Sequence, residues 1–270
     1  MADIAWYDFG GDGPDLLLAH ATGFHAHVWL PVVERLRSQF RCVAFDERGH
    51  GDSASAGSFS WHDFADDLLG VVGAAGLERP FGVGHSCGGA LLLLAEEAVA
   101  GTFRALYCFE PVTPAFDDPP SAPTRSPLAD GARRRRELFQ SREAAYQRFA
   151  SKPPFSRFAP EALRAYVDHG FDDLGDGTVR LKCRGEDEAR AYENSAGHRA
   201  YADAARVQCP VTLAYGSETD AMGAWVMEPL AARLPDARVE VLEGRTHFGP
   251  QEDPADLAAR IVRAFTAAAA

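Results

Sequence analysis

The chain has 270 residues, of which 46% are hydrophobic and 24% are charged, and its formal net charge is −12. That length and composition are typical of a globular protein with a sizeable core, and they exclude disordered, collagen-like and fibrous classes. Because 39 Asp and Glu outnumber 27 Lys and Arg, the surface repels phosphate and anionic lipid, so we expect neither a nucleic acid nor a membrane as a partner.

Cysteine usage and the N-terminal residues bear on the location of the protein. The five cysteines are scattered, odd in number and without a Cys-x-x-Cys pair, which argues against a disulfide framework or a zinc site. The N-terminus carries an acid where a signal peptide carries a base, and no apolar run approaches the roughly 18 residues that a membrane span needs. We therefore expect a cytoplasmic protein with no bound metal.

The first part of the chain alternates short apolar runs with amphipathic stretches. The runs predict strands at residues 15–19, 41–45, 80–84 and 105–109. The stretches between them predict helices at residues 28–38, 61–75 and 88–100. This alternation predicts an α/β protein with a mostly parallel sheet, and the lack of polar alternation within the strands predicts that helices flank both faces.

The pattern changes between residues 113 and 206, where prolines cluster and little strand signal remains. Helices are predicted near residues 131–150, 160–170 and 186–205, with one hairpin element at 177–183. Strand patterns return at 211–215 and 238–242, and a last helix begins near Pro254. We therefore predict a core domain of residues 1–112 and 207–270, with an inserted helical subdomain of residues 113–206.

The strongest local motif is Gly84-His85-Ser86-Cys87-Gly88, which follows a predicted buried strand and precedes a predicted helix. A turn this tight requires small flanking residues, and it presents the Ser86 hydroxyl at the N-terminus of a helix, where developing negative charge is stabilised. The motif predicts that Ser86 is a catalytic nucleophile, although a glycine-rich turn without chemistry has the same sequence.

A serine nucleophile needs a base and a carboxylate, in the chain order serine, acid, histidine for this type of turn. His247 follows the last predicted strand, and Asp220 follows the strand before it. We therefore predict His247 as the catalytic base and Asp220 as the acid. Glu218, in the same loop as Asp220, and Glu110, at the end of the strand before the insertion, are the alternative acids.

The oxyanion of an acyl transfer reaction needs two backbone N–H donors. One is predicted at Cys87, directly after the nucleophile, and the other at Thr22, in the loop after the first buried strand. Four aromatic residues are candidates for the substrate pocket, with plain core packing as their alternative role: Phe24, Trp29, Phe116 and Trp225.

With these motifs together, the sequence resembles the α/β-hydrolase superfamily with an inserted cap. The matching segments are His20-Ala-Thr-Gly-Phe, Asp46-Glu-Arg-Gly-His-Gly-Asp-Ser, Gly84-His-Ser-Cys-Gly-Gly, Tyr215-Gly-Ser-Glu-Thr-Asp and Thr246-His-Phe-Gly-Pro-Gln-Glu-Asp-Pro. The resemblance implies the α/β-hydrolase fold and covers residues 1–112 and about 207–270.

Two departures from the family pattern concern the site. His20-Ala21 stands where the family usually has His-Gly, and Asp220 lies four residues after Gly216, where three is commoner. A serine at position 86 argues against the epoxide hydrolases and haloalkane dehalogenases of the family, which place an aspartate there.

The sequence thus predicts a serine hydrolase, similar to carboxylesterases, that cleaves a carboxylic ester, lactone or thioester of a small molecule without a cofactor. A carbon–carbon bond hydrolase or an acyltransferase with the same triad is an alternative. A further alternative is a catalytically silent protein of the same fold that binds a small ligand.

Overall fold

The computed structural model describes residues 3–269 and contains two sheets. The strands, in chain order, are β1 (Trp6–Asp8), β2 (Asp15–Ala19), β3 (Arg41–Phe45), β4 (Phe81–His85), β5 (Leu106–Phe109), β6 (Leu138–Phe139), β7 (Phe171–Asp173), β8 (Val179–Leu181), β9 (Val211–Gly216) and β10 (Ala237–Leu242). The larger sheet has seven strands in the order β1-β3-β2-β4-β5-β9-β10. Only β1 runs antiparallel within it. The predicted mostly parallel sheet is confirmed.

The strand β2 explains why its apolar run has no polar alternation. Leu16 and Leu18 pack into one hydrophobic cluster, whereas Leu17 packs into another. Successive side chains of a strand point to opposite faces, so a run of apolar residues means that both faces of the sheet are covered. All three leucines are fully buried, as that pattern predicted.

Ten α-helices surround or connect the strands in the described part of the chain. They are α1 (Leu30–Leu36), α2 (Trp61–Ala74), α3 (Cys87–Ala98), α4 (Pro127–Arg133), α5 (Arg142–Ala150), α6 (Pro160–His169), α7 (Gly185–Glu193), α8 (Ala224–Ala231), α9 (Gly249–Glu252) and α10 (Pro254–Ala269). Helices α1 and α10 pack together on one face of the large sheet, and α2 and α3 on the other. Within residues 3–269, no helix is both long enough and apolar enough to cross a bilayer.

Residues 113–206 contribute no strand to the large sheet. They hold α4 to α7 and the second sheet, whose three strands pair antiparallel in the order β6-β8-β7. Two of the predicted helices in this segment are wrong in extent. The stretch 131–150 is broken by β6, because Leu138 pairs with β8 and Ser141 starts a new helix by accepting a hydrogen bond from the Ala144 amide. Helix α7 ends at Glu193, well short of residue 205.

Candidate active site

Ser86 stands on the turn between β4 and α3, and its φ of 55° lies in the left-handed region that non-glycine residues rarely occupy. The neighbouring glycines make the turn possible. A β-carbon at Gly84 would lie 2.6 Å from the backbone of Gly88, and one at Gly88 would lie 2.3 Å from the carbonyl oxygen of Ala19. The local sequence therefore forces the Ser86 side chain into a fixed position, facing a cavity.

His247 lies on the loop between β10 and α9, directly beside Ser86. Its Nε2 is 3.1 Å from Ser86 Oγ, and its Nδ1 is 2.6 Å from Glu110 Oε2. Because an ionised carboxylate can only accept hydrogen bonds, the imidazole proton belongs on Nδ1. The Nε2 lone pair is then directed at the serine hydroxyl and is able to accept its proton.

Glu110 follows β5, and its side chain is fully buried. Besides contacting His247, its carboxylate accepts hydrogen bonds from the Gly216 amide at 3.0 Å, the Thr219 hydroxyl at 2.8 Å and the Met222 amide at 3.3 Å. The loop after β9 thus closes around this carboxylate. Such a set of donors fixes the orientation of the carboxylate toward the imidazole.

The other two candidate acids lie elsewhere. Asp220 is exposed at the cavity wall, and no hydrogen bond or ion pair joins it to His247 within residues 3–269. Glu218 is also exposed and pairs with Arg157 at 2.9 Å. Of the three candidate acids, the carboxylate that contacts the histidine is therefore that of Glu110 and not that of the predicted Asp220. The physical reason is that the Glu110 carboxylate occupies the position next to His247 Nδ1. The loop after β9, which carries Asp220, supplies hydrogen-bond donors to that carboxylate instead of a carboxylate of its own.

His85 contacts the backbone of His247. Its Nε2 lies 2.8 Å from the carbonyl oxygen of His247, so this nitrogen carries the ring proton and donates a hydrogen bond to that oxygen. Burial, with a smaller contribution from the neighbouring His247, lowers the pKa of His85 well below its usual value. A neutral His85 therefore fixes the backbone of the loop that holds His247.

The loop of residues 20–23 meets the serine turn through His20. The His20 carbonyl oxygen accepts the Gly88 amide at 3.0 Å, and its Nε2 accepts the Glu47 amide at 2.9 Å. Burial lowers the pKa of His20 well below its usual value, which keeps Nε2 free as an acceptor. These contacts hold the loop where Thr22 lines the same cavity as Ser86. Separately, Cys87 is the first residue of α3, so its backbone N–H has no hydrogen-bond partner inside the helix.

A cavity of about 290 Å³ opens in front of Ser86 and His247. The core contributes a mostly apolar lining of Ala21, Thr22, Trp61, Val112, Ala221, Met222 and Phe248, together with Asp220. The segment 113–206 contributes Leu128, Tyr192 and Ser195. A mostly apolar pocket with a few polar groups at one point is typical of a small-molecule site.

Comparisons with known proteins identify the family of the chain. The model of the alpha/beta hydrolase family matches residues 16–260. The chain belongs to the alpha/beta hydrolase family. The 2-(acetamidomethylene)succinate hydrolase of Mesorhizobium japonicum is 24% identical over 251 residues, which cover 90% of this chain and 85% of that enzyme. A pimeloyl-[acyl-carrier protein] methyl ester esterase of Aliivibrio salmonicida is 38% identical over 98 residues, 36% of this chain and 35% of the esterase.

Among solved structures, an E-2-(acetamidomethylene)succinate hydrolase matches with a TM-score of 0.79 and 23% identity, over 98% of this chain and 95% of that one. This match confirms the alpha/beta hydrolase fold that the motifs implied. The named relatives are hydrolases, and the prediction that this chain is a hydrolase is confirmed at that level.

None of the four aromatic residues predicted for the substrate pocket is among the residues that line this cavity. Phe24 and Trp29 are buried, and Phe24 packs against Tyr166, Phe248 and other aromatic rings. Phe116 and Trp225 are 47% and 59% exposed. The aromatic residues of the pocket are instead Trp61, Tyr192 and Phe248, for which the sequence carries no signal beyond their type.

Proposed function

We propose that this alpha/beta hydrolase is a serine hydrolase that cleaves a carboxylic ester, lactone or thioester of a small molecule. Ser86 is the nucleophile, His247 the general base and Glu110 the acid that orients the imidazole. The reaction requires no metal or organic cofactor. The contacts of His247 with both Ser86 and the buried Glu110 carboxylate are the observation that carries this proposal.

In the proposed reaction, Ser86 Oγ attacks the carbonyl carbon while its proton passes to His247 Nε2. The imidazolium is stabilised by Glu110, and it then gives the proton to the departing alcohol or thiol. A water molecule attacks the acyl-enzyme in the same way, with His247 as base, and releases the carboxylic acid and the free serine.

The oxyanion is held by the backbone N–H groups of Cys87 and Thr22. Two features support this assignment. Cys87 is the first residue of a helix of 12 residues, so that its N–H and the helix dipole both favour negative charge beside Ser86. Thr22 lies in the loop that His20 fixes against the same turn.

Residues 113–206 act in this proposal as a cap on the core domain of residues 1–112 and 207–270. Leu128, Tyr192 and Ser195 support this, because they belong to this segment and line the cavity together with Ser86 and His247. We place the protein in the cytoplasm, with a small molecule rather than a nucleic acid or a membrane as partner. All five cysteines are free and buried, which suits a reducing compartment.

The test is Ser86→Ala, assayed with a short p-nitrophenyl ester and with a fluorophosphonate probe that labels activated serines. The variant is expected to lose ester turnover by a factor on the order of 10³ or more and to lose labelling, with its thermal unfolding unchanged. Ser38→Ala, which removes an exposed hydroxyl, is the matched control and keeps both properties.

Undiminished turnover in Ser86→Ala would overturn the proposal. So would a wild-type protein that neither turns over esters, lactones or thioesters nor reacts with the probe, and that result favours the silent ligand-binding alternative.

A further inference from the structure

A buried ion pair lies against the loop of residues 20–23, called the oxyanion loop below. Arg135, just after α4, pairs with Glu188 of α7, and both side chains are largely buried, at 18% and 10% exposure. Arg135 also donates a hydrogen bond to the Tyr166 hydroxyl at 2.9 Å. The pair contacts the loop that carries Thr22, because a β-carbon on Gly23 would lie 2.7 Å from Glu188 Oε1 and 3.7 Å from Arg135 Nη1.

The cavity itself offers no cation to a substrate. Among the described residues that line it, none is Lys or Arg, and its ionisable groups are Asp220, Tyr192 and His247. The nearby guanidinium of Arg135 is occupied by Glu188 and Tyr166. An anionic group that entered would lose its hydration without gaining a partner, and it would face the carboxylate of Asp220.

We propose that Glu188 is a specificity-determining residue, which neutralises Arg135 and so restricts this site to substrates with an uncharged acyl group. The inference rests on the proposed function. It explains why a cationic side chain stands next to the oxyanion loop without being offered to the ligand. In the absence of the Glu188 charge, Arg135 becomes an available partner for a carboxylate on the substrate.

The experiment compares p-nitrophenyl butanoate with mono-p-nitrophenyl succinate, which share a leaving group and an acyl chain length and differ in one terminal carboxylate. The wild-type protein is expected to favour the butanoate by a factor of about 100 or more in kcat/KM, as expected when a charge is left without a partner. Glu188→Gln is expected to raise kcat/KM for the succinate by about tenfold or more and to narrow that ratio accordingly.

The matched control is Glu186→Gln, on the same helix, which removes a carboxylate from an exposed pair with Arg133 and leaves the ratio unchanged. Arg135→Gln combined with Glu188→Gln removes both charges and restores the wild-type preference. Should Glu188→Gln fail to fold, Glu188→Asp weakens the same pair and gives an intermediate ratio. Equal use of both esters by the wild-type protein overturns the inference, as does a ratio that no Glu188 variant changes.

A second readout is independent of turnover. Calorimetry measures how Ser86→Ala binds the p-nitroanilides of butanoic and succinic acid, which are stable analogues of the two esters. If no ester is hydrolysed but the butanoyl anilide binds more tightly, the proposed function fails and the charge selection stands. If esters are hydrolysed but the succinyl anilide binds at least as tightly, the charge selection fails and the triad stands.

Discussion

The proposed catalytic groups and a part of the cavity wall come from two regions of the chain that differ in how the positions of their side chains are determined. Ser86, Glu110 and His247 follow β4, β5 and β10 of the large sheet, whose parallel strands end at one edge. A part of the cavity wall comes from a loop and helix ends of residues 113–206. In the first region the register of the sheet determines where each group lies. The second region can therefore change shape and charge without moving the chemistry.

The place of Glu110 among the proposed catalytic groups of the first region is tested most strongly by exchanging the two rival carboxyl groups for amides. Glu110→Gln leaves His247 Nδ1 facing a group that can donate as well as accept, which disturbs the tautomer, and we expect kcat/KM to fall on the order of 10³-fold. Asp220→Asn removes only an exposed charge at the cavity wall, and we expect a change of less than about tenfold. Steady-state kinetics on a neutral ester measures both.

The reverse result, with the large loss in Asp220→Asn, would show that the loop after β9 moves Asp220 against His247 in the working enzyme. It would contradict the assignment of the acid.

The two regions are compared next by how well each accommodates an added methyl group. Gly88→Ala sets a β-carbon 2.3 Å from the Ala19 carbonyl oxygen, where neither backbone can yield, and we expect a loss of about 3 kcal/mol or more of unfolding free energy. Gly131→Ala, on an exposed face of α4 with nothing within 4 Å, is expected to add about 0.5–1 kcal/mol. Urea unfolding measures both, and similar values for the two variants would show that the regions are equally accommodating.

A third prediction concerns Glu47, which is fully buried beneath the serine turn and faces Cys87. Burial raises the pKa of the Glu47 carboxyl from 4.5 to about 8, so the folded protein keeps a proton that the unfolded chain releases above pH 4.5. This contribution to stability is complete below pH 4.5, declines as the pH rises, and is lost above about pH 8.

Glu47→Gln cannot ionise, and we expect it to reduce the decline in unfolding free energy between about pH 5 and about pH 9 by on the order of a few kcal/mol. Part of the decline remains, because burial also raises the pKa of Glu97 to about 8. Chemical unfolding at the two pH values is the measurement. An unchanged decline in the variant would mean that Glu47 is already ionised in the folded protein.

The two regions also differ in what their sequence predicts. The strands β2 and β3 begin and end where the apolar runs do, because a strand covered on both faces needs an unbroken apolar run. The serine turn was predictable because only glycine fits at positions 84 and 88. The strand β1 gave no such signal, since its three residues are an edge with partly exposed side chains.

The choice of acid shows where such reasoning ends. Position 110 was a visible alternative, because Glu110 ends the predicted strand before the insertion. The structure adds that this strand, β5, pairs with β4, which precedes Ser86. The carboxylate that contacts His247 is determined by side-chain length and by the path of the loop after β9. Neither of these can be predicted from the periodicity of apolar residues in the sequence. Within residues 113–206, the predicted helix 131–150 is interrupted between α4 and α5 because β6 pairs with β8. This contact joins residues distant in sequence, and local helix propensity does not encode it.

The smallest expected effect lies in that less predictable region, at Leu128. This side chain lines the cavity yet is 62% exposed, so it covers one end of the substrate site while gaining little from burial itself. We expect Leu128→Ala to lower kcat/KM for a p-nitrophenyl hexanoate by about threefold to tenfold through KM, and to leave the acetate within about twofold, because only the longer acyl chain would reach it. Leu174→Ala, a partly exposed leucine outside the cavity, is the control and is expected to change neither. A loss of kcat on both esters would mean that Leu128 supports the catalytic groups themselves, so that the wall and the chemistry are not independent.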